Sequence, residues 1–158
     1  MSRSGNDGAS SATGVLTIAV TLPGPVPQPS PAVEWLLLGA ALLHLWEVEG
    51  HGRVWWGYGV FFLLIVLGQA AYSLLLPRYG ARNGFLLAGV VANLALVGLW
   101  AWTRTVGGVP VGPHRHVEAV GPVDLTTMSL QLLAVALLVV TLLHRRRAAV
   151  LVRRPPGD

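Results

Sequence analysis

Seven side chains that could hold a transition metal or pass a proton fall close together in pattern: His44, Glu47, His51, His114, His116, Glu118 and Asp124. His44, Glu47 and His51 are spaced i, i+3, i+7, which sets them on one face of a helix if that helix survives Gly50. Asp124, Thr127 and Gln131 repeat the spacing further along. Two polar stripes are therefore expected to meet, and the segment Gly112-Pro113-His114-Arg115-His116-Val117-Glu118 falls beside them. Four of the five histidines and four of the seven acidic residues gather in this way at one level of the chain.

Neutral imidazoles and carboxylates suit zinc, copper or iron, so one reading of the cluster is a metal site fed by His44 and Glu47 from a helix and by His114 or His116 from a loop. The spacing His-x-x-Glu-x-x-x-His matches neither the zinc-protease motif nor a paired di-iron motif. A second reading is a wet interface in which Arg104 or Arg115 pairs with Glu118 or Asp124. A third is a proton-sensitive element, which the lack of a mid-helix acid argues against. Haem held by two histidines within a bundle is disfavoured, because His144 exits on the side opposite to His44.

The elements that carry these residues are apolar. The chain has 158 residues, 53% of them hydrophobic and only 11% charged, where soluble domains carry about a quarter charged residues. The apolar residues run together instead of alternating with polar ones, so lipid must be part of the solvent. The fold class this implies is an all-α membrane protein, a bundle of four transmembrane helices at about 32–49, 54–76, 84–103 and 123–143. Pro31 suits the first turn of segment one, whose purely apolar part is short; its last turns must include His44, Glu47 and His51, facing protein. Trp55-Trp56-Gly57-Tyr58 opens segment two at the headgroup level, and Pro77, Arg78 and Gly80 are read as ending it. Trp100 and Trp102 close segment three, and the connection from Thr105 to Pro122, with four glycines and three prolines, is irregular.

Gln69, Asn93 and Gln131 bring amides into the apolar spans, where they are expected to face inward and aid helix association through hydrogen bonds. Gly68, Gly89, Ala92 and Gly98 are candidate close-approach positions between helices. Residues 1–31 mix Ser, Gly, Asp and Pro and read as a disordered tail; the short apolar run Val15 to Leu22, with only Arg3 ahead of it and Asp7 beside it, argues against a cleaved secretory signal. Residues 145–158 read as a basic tail.

All 11 basic residues are arginines, and their distribution sets the orientation. With four spans, Arg3, Arg78, Arg82 and the five arginines from Arg145 to Arg154 share one side, against Arg53, Arg104 and Arg115 on the other. Positive segments stay in the cytoplasm, so both termini are expected inside. The formal charge of +4 is explained by anionic lipid headgroups and needs no nucleic acid. Cysteine is absent, which excludes disulfides, thiolate metal sites and cysteine nucleophiles. No phosphate-binding loop, dinucleotide fingerprint or nucleophile elbow is present.

The combination of Trp55-Trp56-Gly57-Tyr58, the stretch from Thr103 to Pro113, and Glu118-x-x-Gly121-x-x-Asp124 resembles small four-span membrane proteins of actinobacteria and related bacteria. That resemblance implies the four-span layout and a bacterial inner (plasma) membrane, and carries no activity, substrate or catalytic residue with it. The expected function is a non-enzymatic, multi-pass membrane protein whose His/carboxylate cluster binds a metal or a partner at the extracytoplasmic face. The alternative is a structural or accessory subunit of a larger membrane complex, or a homo-oligomer, with no metal site.

Overall fold

The computed structural model describes residues 26–108, 112–113 and 117–152. It is all-helical: α1 (Ala32–Val54), α2 (Trp56–Tyr79), α3 (Asn83–Thr105) and α4 (Pro122–Val152), with no strand among the described residues. A helix of 23 residues is about 35 Å long, enough for a hydrocarbon core of about 30 Å.

Three of the helices, α2, α3 and α4, are long and apolar enough to cross a membrane. The share of the most apolar window that is buried is only 22% in α2, 22% in α3 and 39% in α4. A water-soluble bundle hides such faces; here Leu64, Leu67, Leu74, Leu87, Val91 and Leu133 all point away from the protein. Helix α1 has the length of its neighbours but falls short in hydropathy, because Glu34, His44, Glu47, Glu49 and His51 interrupt it.

The helices run up and down in sequence order. α1 packs along α2, and α4 packs against both α1 and α3. The link between α1 and α2 shrinks to the single extended residue Trp55, and the two helices leave it in close contact: a Cβ on Gly59 would lie 3.0 Å from the Gly52 Cα. α1 persists through Gly50 to Val54, so the His44, Glu47, His51 stripe stays on one face.

The apolar core lies in one half of the bundle, where Val33, Leu37, Leu76, Leu86, Val90 and Leu138 from all four helices are buried together. This is the end at which α1 starts and α4 finishes, the basic end. Arg145 closes it. The residue is only 7% exposed, and its guanidinium donates to the carbonyls of Pro27 (2.7 Å), Gly80 (2.6 Å) and Ala81 (3.0 Å) and to Asn83 Oδ1 (3.1 Å). One arginine thus caps the last turn of α2, fixes the turn into α3 and holds the segment before α1.

Several expected boundaries move. α2 continues to Tyr79, past Pro77, because a proline in the last turn forfeits a single backbone bond and the Gly80 N–H still reaches the Leu76 carbonyl at 2.7 Å. α4 runs to Val152, well past the expected span end at 143, since arginines are good helix formers and continue the helix out of the apolar zone. The tail boundaries drawn at 31 and 145 differ correspondingly: residues 26–30 are non-helical but tied down through Pro27, and Arg145 belongs to the bundle. The rest of both expected tails, 1–25 and 153–158, lies outside the described residues.

The amides behave as their positions require. Gln69, Asn93 and Gln131 are all buried; Gln69 Nε2 donates to Asn93 Oδ1 at 3.3 Å, and Asn93 Nδ2 to the Gly89 carbonyl at 2.8 Å. Of the glycines expected to let helices approach, Gly89 does so, under the Tyr72 hydroxyl, while Gly68 and Gly98 meet nothing. Tyr72 stacks on Phe85 and donates to its carbonyl, so α2 and α3 touch near the basic end and at the Gln69–Asn93 pair.

Candidate functional site

Beyond that pair α2 and α3 stand apart, and the wedge between them, at the end opposite Arg145, is a cavity of about 100 Å³ reached by side chains of all four helices. Its position follows from the sequence. The bulky apolar residues that fill the bundle give way, on the inward faces of α1 and α4, to the polar stripes, and polar side chains bonded to one another do not fill space as leucines do.

The stripes meet as the spacing requires. His44, Glu47, His51, Asp124 and Thr127 all line the cavity, and Gln131, fully buried, lies within 3.1 Å of His44 through Nε2 of each. An amide nitrogen donates only, so His44 accepts at Nε2 and carries its proton on Nδ1. His51 is fixed differently: its Nδ1 lies 3.0 Å from the Glu47 carbonyl oxygen and 3.4 Å from Glu47 Oε2, which makes Nδ1 the donor. Both rings lie against Phe62, with centroids at 5.7 Å for His44 and 4.2 Å for His51.

The remaining charged residues form a clamp. Arg104, at the end of α3, donates to Glu118 Oε2 at 2.5 Å and to Asp124 Oδ1 at 2.9 Å, and also to Thr103 Oγ1 at 2.8 Å. Asp124 uses its other oxygen to accept from the Gly121 N–H at 2.9 Å, the return half of a capping box, with Pro122 at the first helical position of α4. Glu118 adds a backbone bond to the Thr103 carbonyl, so the connection between α3 and α4 returns over the cavity. Gly112, at φ +99°, packs where any side chain would strike the Tyr58 ring.

The interface reading of the acids is thereby realised with Arg104 as the common partner, and it leaves Glu118 and Asp124 engaged. Among the described residues no group of three His, Asp or Glu side chains is arranged to hold a metal ion. The physical reason is that Asp124 has both oxygens bonded, Glu118 faces a guanidinium, and His44 Nε2 is occupied by Gln131. His114 and His116, the loop ligands of the metal reading, lie outside the described residues.

Two features escaped sequence reasoning. Trp100, read from the sequence as closing segment three, lines the cavity, and its indole N–H is buried without an acceptor; Arg104 Nε is in the same condition. The positions 100 and 104 are one helical turn apart, a signal present in the sequence but unreadable without knowing which face of α3 turns inward. Trp35, Trp46, Trp56 and Trp102 are 49–78% exposed, as rings at the headgroup level are, and Trp55 is part-buried; the indole of Trp102 donates to the Gly108 carbonyl.

Comparison with protein families, with curated proteins and with solved structures returned no match to this chain.

Proposed function

We propose that this chain is a four-span bacterial inner-membrane protein with both termini in the cytoplasm and no enzymatic role, and that its extracytoplasmic half is a binding site for a small molecule. The observation that carries the reading is the cavity itself: a void lined by buried polar groups in the half of an apolar bundle that lacks the packed core. A structural subunit gains nothing from such a void, since filling it with apolar side chains strengthens packing.

The absence of an enzymatic role is supported by the state of the hydroxyls. Thr127 donates to the Val123 carbonyl and Thr103 to the Trp100 carbonyl, so neither is bonded to a base that would activate it. α1 as a fourth span is supported by its length and by its packing between α2 and α4, with His44, Glu47 and His51 turned to the cavity and away from lipid.

Orientation is supported by how charges are matched. At the cavity end Arg53 pairs with Glu49 and Arg104 with two acids. At the other end Arg78, Arg82, Arg146 and Arg147 are exposed and have no acidic partner among the described residues, as cytoplasmic flanks do.

Because the chain has no cysteine, single cysteines report topology directly. In intact cells a membrane-impermeant maleimide is expected to label Arg53→Cys and to spare Val26→Cys, Arg82→Cys and Arg146→Cys until lysis. Labelling of Val26→Cys together with Arg53→Cys removes α1 as a span, and the inverse pattern throughout reverses the orientation. For the binding role, a native lipid extract is expected to raise the melting temperature of the purified protein but not of a Leu96→Trp variant, whose indole occupies the cavity; equal shifts refute it.

A further inference from the structure

We infer that the cavity takes an uncharged molecule with an apolar ring and an oxygen acceptor, the chemistry of a quinone headgroup, admitted from the bilayer between α2 and α3. The inference rests on the proposed binding role and specifies its ligand.

The acceptor is required by two donors. Trp100 Nε1 and Arg104 Nε are buried, unpartnered and on one face of α3, about 6 Å apart along its axis. The Arg104 side chain is only 10% exposed, so bulk water does not serve it. A buried N–H without an acceptor is a loss of about 1–3 kcal/mol, and both belong to residues that line the one cavity, so an acceptor oxygen brought against that wall recovers it.

The charge of the walls fixes the rest. Arg104 is already opposed by Glu118 and Asp124, and Glu47 contributes a third carboxylate, so the lining is net negative and repels an anion. A cation finds two of the three carboxylates engaged, both Asp124 oxygens and Glu118 Oε2 being bonded, which leaves Glu47 alone to receive it. An uncharged carbonyl oxygen meets neither obstacle. The body of the ligand is specified by Phe61, Phe62, Ile65, Leu96, Leu99 and Met128, which make the deeper wall apolar and partly aromatic.

The route follows from the same gap. α2 and α3 meet at Gln69–Asn93 and Tyr72–Phe85 and are apart at the level of the cavity. Phe61 lines the cavity and is also 39% exposed on the lipid-facing surface, so it stands in the opening. A lipid-soluble molecule reaches that opening without crossing a polar barrier.

The test uses full-length protein in micelles with nitrogen-15 in its six tryptophans, the Trp100 indole signal being assigned by its loss in Trp100→Phe. Menadione, a neutral ring diketone, is titrated beside tetraphenylphosphonium, a lipophilic cation, and naphthoate, an anion. The expected result is a saturable downfield shift of the Trp100 indole proton with menadione alone. Its affinity, followed by calorimetry, falls about tenfold in Trp100→Phe and is lost in Leu96→Trp. Saturation by the cation or the anion instead overturns the ligand class while leaving a binding site in place. No saturable shift with any of the three means that the cavity holds water, and the inference fails; the lipid-extract measurement on Leu96→Trp then decides whether the binding role fails with it.

Discussion

Replacing Arg104 by Met tests the clamp on which the site is built. The guanidinium supplies one charge-assisted bond to Glu118 at 2.5 Å and one to Asp124 at 2.9 Å. Removing one partner of a buried ion pair costs about 3–5 kcal/mol because the survivor stays desolvated. Here the survivors are two like charges, yet they are 23% and 26% exposed and regain some water, so the lower end applies, about 3 kcal/mol. For a chain of this size that corresponds to a fall in melting temperature of roughly 6–12 °C. Adding Glu118→Gln and Asp124→Asn to Arg104→Met removes the stranded charge and is expected to restore at least half of the loss. The assay is thermal unfolding in detergent of the single, double and triple variants, analysed as a mutant cycle. An interaction energy between Arg104 and Glu118 below about 0.3 kcal/mol refutes the clamp, since independent sites add to within that margin.

The other predictions concern separate parts of the bundle. Glu49→Gln, which breaks an ion pair whose partners are 78% and 75% exposed, is expected to change stability by less than about 0.5 kcal/mol in the same assay. Arg145→Lys is expected to destabilise by about 2 kcal/mol and to speed proteolysis near Pro27, because a single ammonium cannot reach the four acceptors that the planar fork spans. A cycle on Gln69→Leu and Asn93→Leu should return a coupling of about 0.6 kcal/mol, the usual yield of an amide pair between membrane helices. Purified protein analysed for zinc, copper and iron is expected to hold each well below one equivalent, before and after His44→Ala; a stoichiometric metal lost in that variant would restore the metal reading.

The all-helical fold and its three apolar helices were legible from sequence because apolar length is a strong signal, as in the run from Val60 to Leu76. The i, i+3, i+7 stripes were legible for the same reason, since helical periodicity fixes which residues share a face, and they meet at the His44–Gln131 contact. What the sequence hid was allocation. It offered Arg104 and Arg115 as partners for two acids, and only the packed structure gives both Glu118 and Asp124 to Arg104, withdrawing them from any metal set. The Trp100 donor was hidden because a tryptophan near a helix end reads equally well as a headgroup anchor or as a lining residue.

Arg145 makes the bundle asymmetric in stiffness. With one side chain riveting the segment before α1, the α2–α3 turn and α4 together, and the leucine-rich core beside it, that end has no slack. The far end holds a void between α2 and α3 where the other end holds that core, and local opening follows the path of fewest contacts. Any parting of α2 and α3 to admit a guest accordingly pivots, like a pair of tongs, at the guanidinium end.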